Sequence, residues 1–211
     1  KRARTIVFSS DQFKDNDFST YEDLADPKWK GKLCLRTSKK VYNRSLIASM
    51  IDVYGFDKSK EVVSGWVSNL ATEVFSNDTN ALKAVSSGQC GVTIVNTYYL
   101  ARLLDDPEYN NLSLFWANQS DRGVHVNISG AGVVKTSKNK KNAVLLLEYL
   151  SSNKAQDFYA SANKEYPVLV GAKIDESIES WGSFSEHTIN VSKLGSLQKE
   201  AVFLAQEVGY K

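Results

Sequence analysis

The sequence predicts an α/β fold in which helices are layered on a mostly parallel β-sheet. Short apolar or β-branched segments, typical of strands, alternate with segments whose apolar residues repeat at helical spacing. Glycines and an Asp-Pro pair separate these segments. The chain has 211 residues, 42% of them hydrophobic, which is enough for one large domain or two small ones. No internal repeat and no low-complexity segment is present.

The elements in the first part of the chain follow from β-branched content and apolar spacing. Strands are predicted over 1–8 and 31–36. A helix over 45–54 ends at Gly55, and Asp57 is expected to cap the next helix, which runs to about residue 70. The remaining predicted elements, in order, are a strand over 72–75, a helix capped by Asp78 and ended by Gly88, and a strand over 92–95.

The second part continues the alternation. A helix over 98–104 and strands over 112–116 and 124–134 are predicted, the last broken by Gly130 and Gly132. Three helices follow, over 142–150, 154–162 and 199–208.

The charge pattern argues against two classes of partner. Lys and Arg total 26 and Asp and Glu total 24, so the net charge is +2, and no basic cluster suggests nucleic acid. No apolar run approaches the ~20 residues that a membrane-spanning helix needs. The first residues do not form a signal peptide, so we expect any targeting signal to lie upstream of them.

Two cysteines and two tyrosines share one spacing. Cys34 lies eight residues before Tyr42, and Cys90 lies eight before Tyr98. Parallel neighbouring strands would bring the cysteines together, with the tyrosines beyond the carboxyl ends of the strands, where α/β proteins bind ligands. A Cys34–Cys90 disulfide is the sharper interpretation, whereas two buried thiols or a coincidence of spacing are the alternatives.

Tyr42, Tyr98 and Tyr99 are candidate ligands for Fe(III). A free phenol has a pKa of ~10 and is neutral at pH 7, but a hard trivalent cation can displace its proton. Three phenolates would balance the charge of Fe(III). Asn96 is either a donor near the bound ion or a helix cap, and Arg36 and Arg44 either balance anionic ligands or lie on the surface. The Tyr-Tyr pair alone is weak evidence, because most tyrosines are packing residues.

An enzyme is not indicated. Neither His125 nor His187 has metal-ligand spacing, and no nucleophile or dinucleotide-binding motif occurs. The segment containing Gly130 and Gly132 lacks a third glycine and a following helix, so a close backbone approach explains it better. A structural domain in which the tyrosines only pack is a further alternative.

Several motifs, in order along the chain, resemble the bacterial ferric-ion-binding proteins of ABC transporters, and in particular their tyrosine-rich subgroup. The motifs are Arg2-Ala3-Arg4, the segment 21–32 (YEDLADPKWKGK), 41–43 (VYN), 95–99 (VNTYY), 126–133 (VNISGAGV) and 165–167 (EYP).

The resemblance implies a type-II periplasmic-binding-protein fold, similar to a transferrin lobe, with two lobes joined by hinge strands. Residues 1–7 would form a hinge strand, 8–124 the second lobe with Tyr42, Tyr98 and Tyr99, and 125–211 the return hinge and the C-terminal part of the first lobe. The first lobe would be incomplete, because family members have a further N-terminal segment.

The resemblance also implies a function. The protein would bind Fe(III) in the periplasm, with a synergistic anion such as carbonate, and deliver it to the permease of an iron ABC transporter. Arg2 or Arg4 would assist the site or the anion, together with Asn96. We expect a monomer when full length, periplasmic or otherwise extracytoplasmic, with a lipid anchor as one option. A protein of this fold that binds a polyamine or small anion is the alternative.

Overall fold

The computed structural model describes residues 1–211, and its five strands form one sheet in the order β2-β3-β1-β4. The fifth strand pairs with the same side of β1 as β4 does. Arg4 of β1 lies between Asn96 of β3 on one side and His125 of β5 on the other. The strands are β1 (Arg2–Ser9), β2 (Leu33–Cys34), β3 (Val92–Asn96), β4 (Leu112–Phe115) and β5 (His125–Asn127).

The sheet is mixed, so the prediction of a mostly parallel sheet is wrong. Strand β1 is antiparallel to β3, β4 and β5, whereas β2 and β3 are parallel. The four other strands therefore run in one direction, and β1 crosses the middle of the sheet in the opposite direction. Periodicity identified the strands but could not give their directions.

Nine α-helices accompany the sheet, and the predicted helices are confirmed with shifted ends. The helices are α1 (Val41–Tyr54), α2 (Phe56–Ser68), α3 (Asp78–Ser86), α4 (Thr97–Ala101), α5 (Lys140–Leu150), α6 (Asn153–Asn163), α7 (Glu176–Glu179), α8 (Val191–Ser196) and α9 (Gln198–Glu207). None of them has both the length and the apolar character required to cross a membrane.

Two predicted helix caps are wrong. Gly55, with a φ of 78°, occupies the N-cap position of α2, so Asp57 falls inside the helix. Asn77 caps α3 by accepting a hydrogen bond from the backbone of Asn80 at 2.8 Å, and Asp78 is buried instead.

Two predicted strands are shorter than expected. Residues 72–75 form no strand and contribute only an isolated bridge between Arg36 and Phe75. Strand β5 ends at Asn127, because the residue opposite it is Arg2, the first residue of its partner β1. Residues 128–139 have no regular secondary structure.

The main hydrophobic core lies between β1 and the helices α1, α2 and α9. Ile6, Leu46, Trp66 and Leu204 belong to it and are almost wholly buried. Residues 191–207 thus pack with elements of 8–124. Helix α5, by contrast, has no buried residue.

Candidate metal-binding site

Tyr42, Tyr98 and Tyr99 come together beyond the carboxyl ends of β2 and β3. Because these strands are parallel neighbours, the segments that follow them start at one edge of the sheet. Tyr42 is the second residue of α1, and Tyr98 and Tyr99 lie in the first turn of α4. The Tyr98 and Tyr99 rings are 4.1 Å apart between centroids.

The environment of Tyr98 favours its protonated form. Tyr98 is 7% exposed and lies against Tyr99. Burial, followed by interactions with the side chains of Tyr99 and Tyr42 that favour the protonated hydroxyl, raises the pKa of Tyr98 well above its usual range. Without a cation to replace the proton, Tyr98 is therefore an uncharged phenol.

The cysteines form the predicted disulfide behind this cluster. Cys34 and Cys90 are bonded, and their Cα atoms are 5.9 Å apart. Cys34 lies on β2 opposite Thr93, whereas Cys90 precedes β3 by two residues, so the cysteines are not paired in the strand register. The bond joins the two segments that lead to the tyrosines.

Arg36 lies beside two of the three phenols. Its Nη1 lies 3.5 Å from the Tyr99 hydroxyl, and its guanidinium lies 5.3 Å from the centre of the Tyr42 ring. Its Nε is buried and has no hydrogen-bond partner in the protein. Arg36 can therefore stabilise a phenolate or an anion beside the ring oxygens. Arg44 instead donates to the backbone carbonyl of Ser38.

Arg4 is occupied by protein acceptors and lies beneath the phenols. It is fully buried and donates to Asp78, Asn43, Asn96 and the carbonyl of Ile94. Each guanidinium nitrogen therefore has a partner in the protein. This arrangement is typical of an arginine that organises its surroundings, not of one that receives a ligand anion.

Arg2 is better placed than Arg4 to assist an anion. Its guanidinium lies 5.7 Å from the centre of the Tyr42 ring, and Nη2 donates to Ser129 at 3.0 Å. Its buried Nε has no hydrogen-bond partner, although the carboxylate of Glu165 lies 4.0 Å away. The sequence did not decide whether Arg2 or Arg4 assists the site. Of these two, Arg2 retains an N–H group that can donate to an anion.

Asn96 is at the N-cap position of α4, but its side chain makes no cap hydrogen bond, so the capping alternative is wrong. Its Oδ1 accepts from Arg4 at 3.2 Å, and its buried Nδ2 has no partner in the protein. Asn96 is thus hydrogen-bonded to Arg4, which lies beneath the tyrosines.

The histidines lie outside this cluster. His125 is 1% exposed, and its Nε2 lies 2.9 Å from the hydroxyl of Ser45. No group of three or more His, Cys, Asp or Glu side chains could hold a metal ion.

Sequence reasoning undervalued both Arg36 and Asp78. Arg36 lies two residues beyond Cys34. It therefore also lies at the carboxyl end of a predicted strand, where α/β proteins bind ligands. Asp78 resembled an ordinary residue at a helix start, and its burial against two arginines depends on tertiary packing that no local pattern reveals.

A family model described as bacterial extracellular solute-binding protein matches residues 3–189. Iron uptake protein A1 of Synechocystis is 44% identical over 217 residues, and the match includes all of this chain but 60% of that protein. The chain thus spans less than two thirds of this curated relative.

Solved structures of similar proteins share the fold. A Trichodesmium protein, IdiA or FutA, in complex with iron and citrate ligands, has a TM-score of 0.96 and 42% identity, covering 100% of this chain and 68% of that one. The apo ferric ion-binding protein A of Pasteurella haemolytica has a TM-score of 0.94 and 39% identity, covering 99% and 67%.

Proposed function

The chain belongs to the bacterial extracellular solute-binding protein family, and on that basis we propose that it binds Fe(III) through the phenolates of Tyr42, Tyr98 and Tyr99. Its fold is the type-II periplasmic-binding-protein fold of its structural relatives, as the resemblance implied. The observation that carries the proposal is the convergence of three phenols at one edge of the sheet.

The chemistry of this cluster favours a trivalent, hard cation. The side chains lining it supply oxygen donors and no imidazole or thiolate, which softer or divalent transition metals prefer. Three phenolates would carry a charge of −3 and neutralise Fe(III). The nearby arginines would then favour an additional anionic ligand over a further cation.

An anion such as carbonate would complete the coordination beside Arg2 and Arg36. Both residues have a buried Nε without a protein partner, which supports such a role. A citrate oxygen would serve the same purpose, and the Trichodesmium relative was solved with iron and citrate.

The iron would be taken up outside the cytoplasm and delivered to the permease of an ABC importer. The family description as extracellular and the names of the relatives, which refer to iron uptake and ferric iron binding, support this part of the proposal. A carrier that is monomeric when full length, with or without a lipid anchor, would fit this role, and a catalytic role is not part of the proposal.

Titration with Fe(III) tests the ligand set. The wild-type chain should develop a visible phenolate-to-iron charge-transfer band at one ion per chain. Tyr98→Phe or Tyr99→Phe keeps the ring but removes the oxygen, so affinity should fall at least about 10-fold, the lower bound for losing an outer-shell partner. Tyr149→Phe is the matched control, because Tyr149 is exposed on α5.

Two outcomes would overturn the proposal. One is full colour and stoichiometry in both Phe variants, which would exclude the phenols as ligands. The other is saturable binding of a polyamine with no response to Fe(III), which would favour the alternative ligand class.

A further inference from the structure

The carboxylate of Asp78 lies at the centre of a polar cluster beneath the tyrosines. Asp78 is the first residue of α3 and is 0% exposed. Its Oδ2 accepts from Arg4 Nη1 at 2.9 Å and from the backbone N–H of Asn96 at 3.0 Å. Its Oδ1 lies 3.5 Å from Nη1 of Arg36.

Two of these contacts lead to the Tyr98–Tyr99 pair. Asn96 is the N-cap residue of α4, two positions before Tyr98, so the bond to its backbone fixes where this helix begins. Arg36 reaches the Tyr99 hydroxyl with the same nitrogen, Nη1, that lies near Asp78. The carboxylate therefore restrains both the backbone and the cation beside this pair.

The third contact leads to Tyr42. Arg4 donates through Nε at 3.0 Å and Nη2 at 2.6 Å to Oδ1 of Asn43, the residue next to Tyr42 in α1. Asn43 in turn donates to the carbonyl of Arg36 at 2.7 Å. One planar guanidinium thus joins the helix that carries Tyr42 to the carboxylate that holds the start of α4.

We propose that Asp78 is a positioning residue for the tyrosine site: together with Arg4 it sets the separation between Tyr42 and the Tyr98–Tyr99 pair. This inference rests on the proposed function, because the separation matters only if the phenols bind one ion. Ligands must be held closely to the productive geometry, and rotamers locked by buried hydrogen bonds provide that restraint.

The composition of the cluster fits this role better than a purely stabilising one. A buried ion pair is weak evidence for stability, since apolar residues of similar volume can replace it without loss. Here two of the acceptors of Arg4, Asn43 and Asn96, lie within two residues of a site tyrosine. The forked donor geometry of arginine fixes directions that apolar packing would leave loose.

The test uses Asp78→Asn in the full 211-residue chain. The amide of asparagine keeps the shape of the side chain. One of the two carboxylate oxygens, however, is replaced by an NH2 group, which is a donor and faces an arginine. The expected result is a chain that still binds Fe(III) with an altered charge-transfer band and with an affinity about 10- to 100-fold lower in citrate competition. Asp57→Asn, an exposed carboxylate in the first turn of α2, is the matched control and should change neither.

A second variant covers the case in which Asp78→Asn does not fold. Arg4→Lys keeps the charge opposite Asp78 but loses the fork that also reaches Asn43, so it should alter the band and the affinity in the same direction. Normal band and normal affinity in either folded variant would overturn the inference.

The failure of this inference can be told apart from failure of the proposed function. If the wild-type chain does not bind Fe(III), the proposed function fails. The positioning role is then judged on metal-free crystals, where Tyr42 should move relative to Tyr98 in Asp78→Asn but not in Asp57→Asn. An unchanged arrangement of the three rings would overturn it.

Discussion

Burial and neighbouring side chains change the proton affinity of individual residues at the site. Burial, and then the adjacent Tyr99 and Tyr42 side chains, raise the pKa of Tyr98, so it remains a neutral phenol. Arg36 is placed where it can offset the charge once the proton leaves, since it touches Tyr99 and faces the ring of Tyr42. Tyr98 is thus uncharged until a cation displaces its proton, and Arg36 lies beside the oxygens that would then carry negative charge.

His125 makes the fold sensitive to acid. Burial, and then the neighbouring His187, Arg4 and Arg122, lower the pKa of His125 to about 3. The unfolded chain takes up a proton near the ordinary value of about 6.5, which the folded chain resists. Stability should therefore be fully present above about pH 6.5 and should fall as the pH approaches 3, by at most about 1.4 kcal/mol per pH unit from this residue.

Urea unfolding at pH 7 and pH 5 measures this effect. His125→Gln should reduce the loss of stability between the two pH values, even if it lowers the stability at pH 7 by disturbing the bond to Ser45. His187→Gln is the comparison and should have a smaller effect, because His187 is only partly buried. An equal loss in wild type and His125→Gln would contradict the assignment.

At the residue scale, the sequence was informative where chemistry and position coincide. Tyr42, Tyr98 and Tyr99 could be selected because each follows a predicted strand. The resemblance left open whether Arg2 or Arg4 assists the site, and in the structure the donors of Arg4 are taken by Asp78 and Asn43. Whether an arginine is free or occupied depends on side-chain contacts distant in sequence, which spacing does not record.

Among the structural elements, the parallel strands β2 and β3 position all three tyrosines, because the segments that carry Tyr42 and the Tyr98–Tyr99 pair follow these strands. Strand β2 has only two residues, Leu33–Cys34, and the disulfide to Cys90 ties it to the entry of β3. So short a strand offers few ladder hydrogen bonds, which makes the covalent link the main restraint on its position.

Removing this disulfide should lower stability substantially. The cysteines are 56 residues apart. In the chain-entropy model a loop of this length corresponds to about 4 kcal/mol. Chemical unfolding of Cys34→Ala/Cys90→Ala should show a loss approaching that value, with reduced wild type as the matched comparison. A loss below about 1 kcal/mol would indicate that β2 is held mainly by packing.

At the element scale, the sequence predicted which helices and strands exist better than it predicted their lengths or the directions of the strands. The helices α1, α2, α5, α6 and α9 have clear apolar spacing and appear close to their predicted positions. The strand predicted over 124–134 fails beyond Asn127 because strand length depends on a partner, and β1 has no residue opposite 128 within its pairing. Strand direction likewise depends on the path between strands, which local residues do not specify.

The whole molecule has an uneven distribution of apolar surface. Its main core is closed around β1, α1, α2 and α9, whereas α5 and α6 expose large apolar side chains. Exposed fractions reach 55% for Leu145, 56% for Leu146 and 68% for Phe158. Contiguous surface of this kind normally lies against another part of a protein.

The chain should therefore self-associate through this surface as its concentration rises. Sedimentation equilibrium should show a concentration-dependent increase in mass, which the pair Leu145→Glu/Leu146→Lys should suppress without changing the net charge. Val53→Glu is the control, since Val53 is 43% exposed but lies on α1. A wild-type chain that stays monomeric at all accessible concentrations would contradict the expectation.

The uncharged state of the phenol cluster has a consequence for the solution around the protein. If three neutral phenols become three phenolates, each captured ion liberates about three protons, so loading is an acid-producing reaction. The apparent affinity would then change by up to about a thousandfold per pH unit, far more steeply than for a carboxylate site that is already ionised. A local drop in pH would then favour release of the ion, because protons compete with it for the phenolate oxygens.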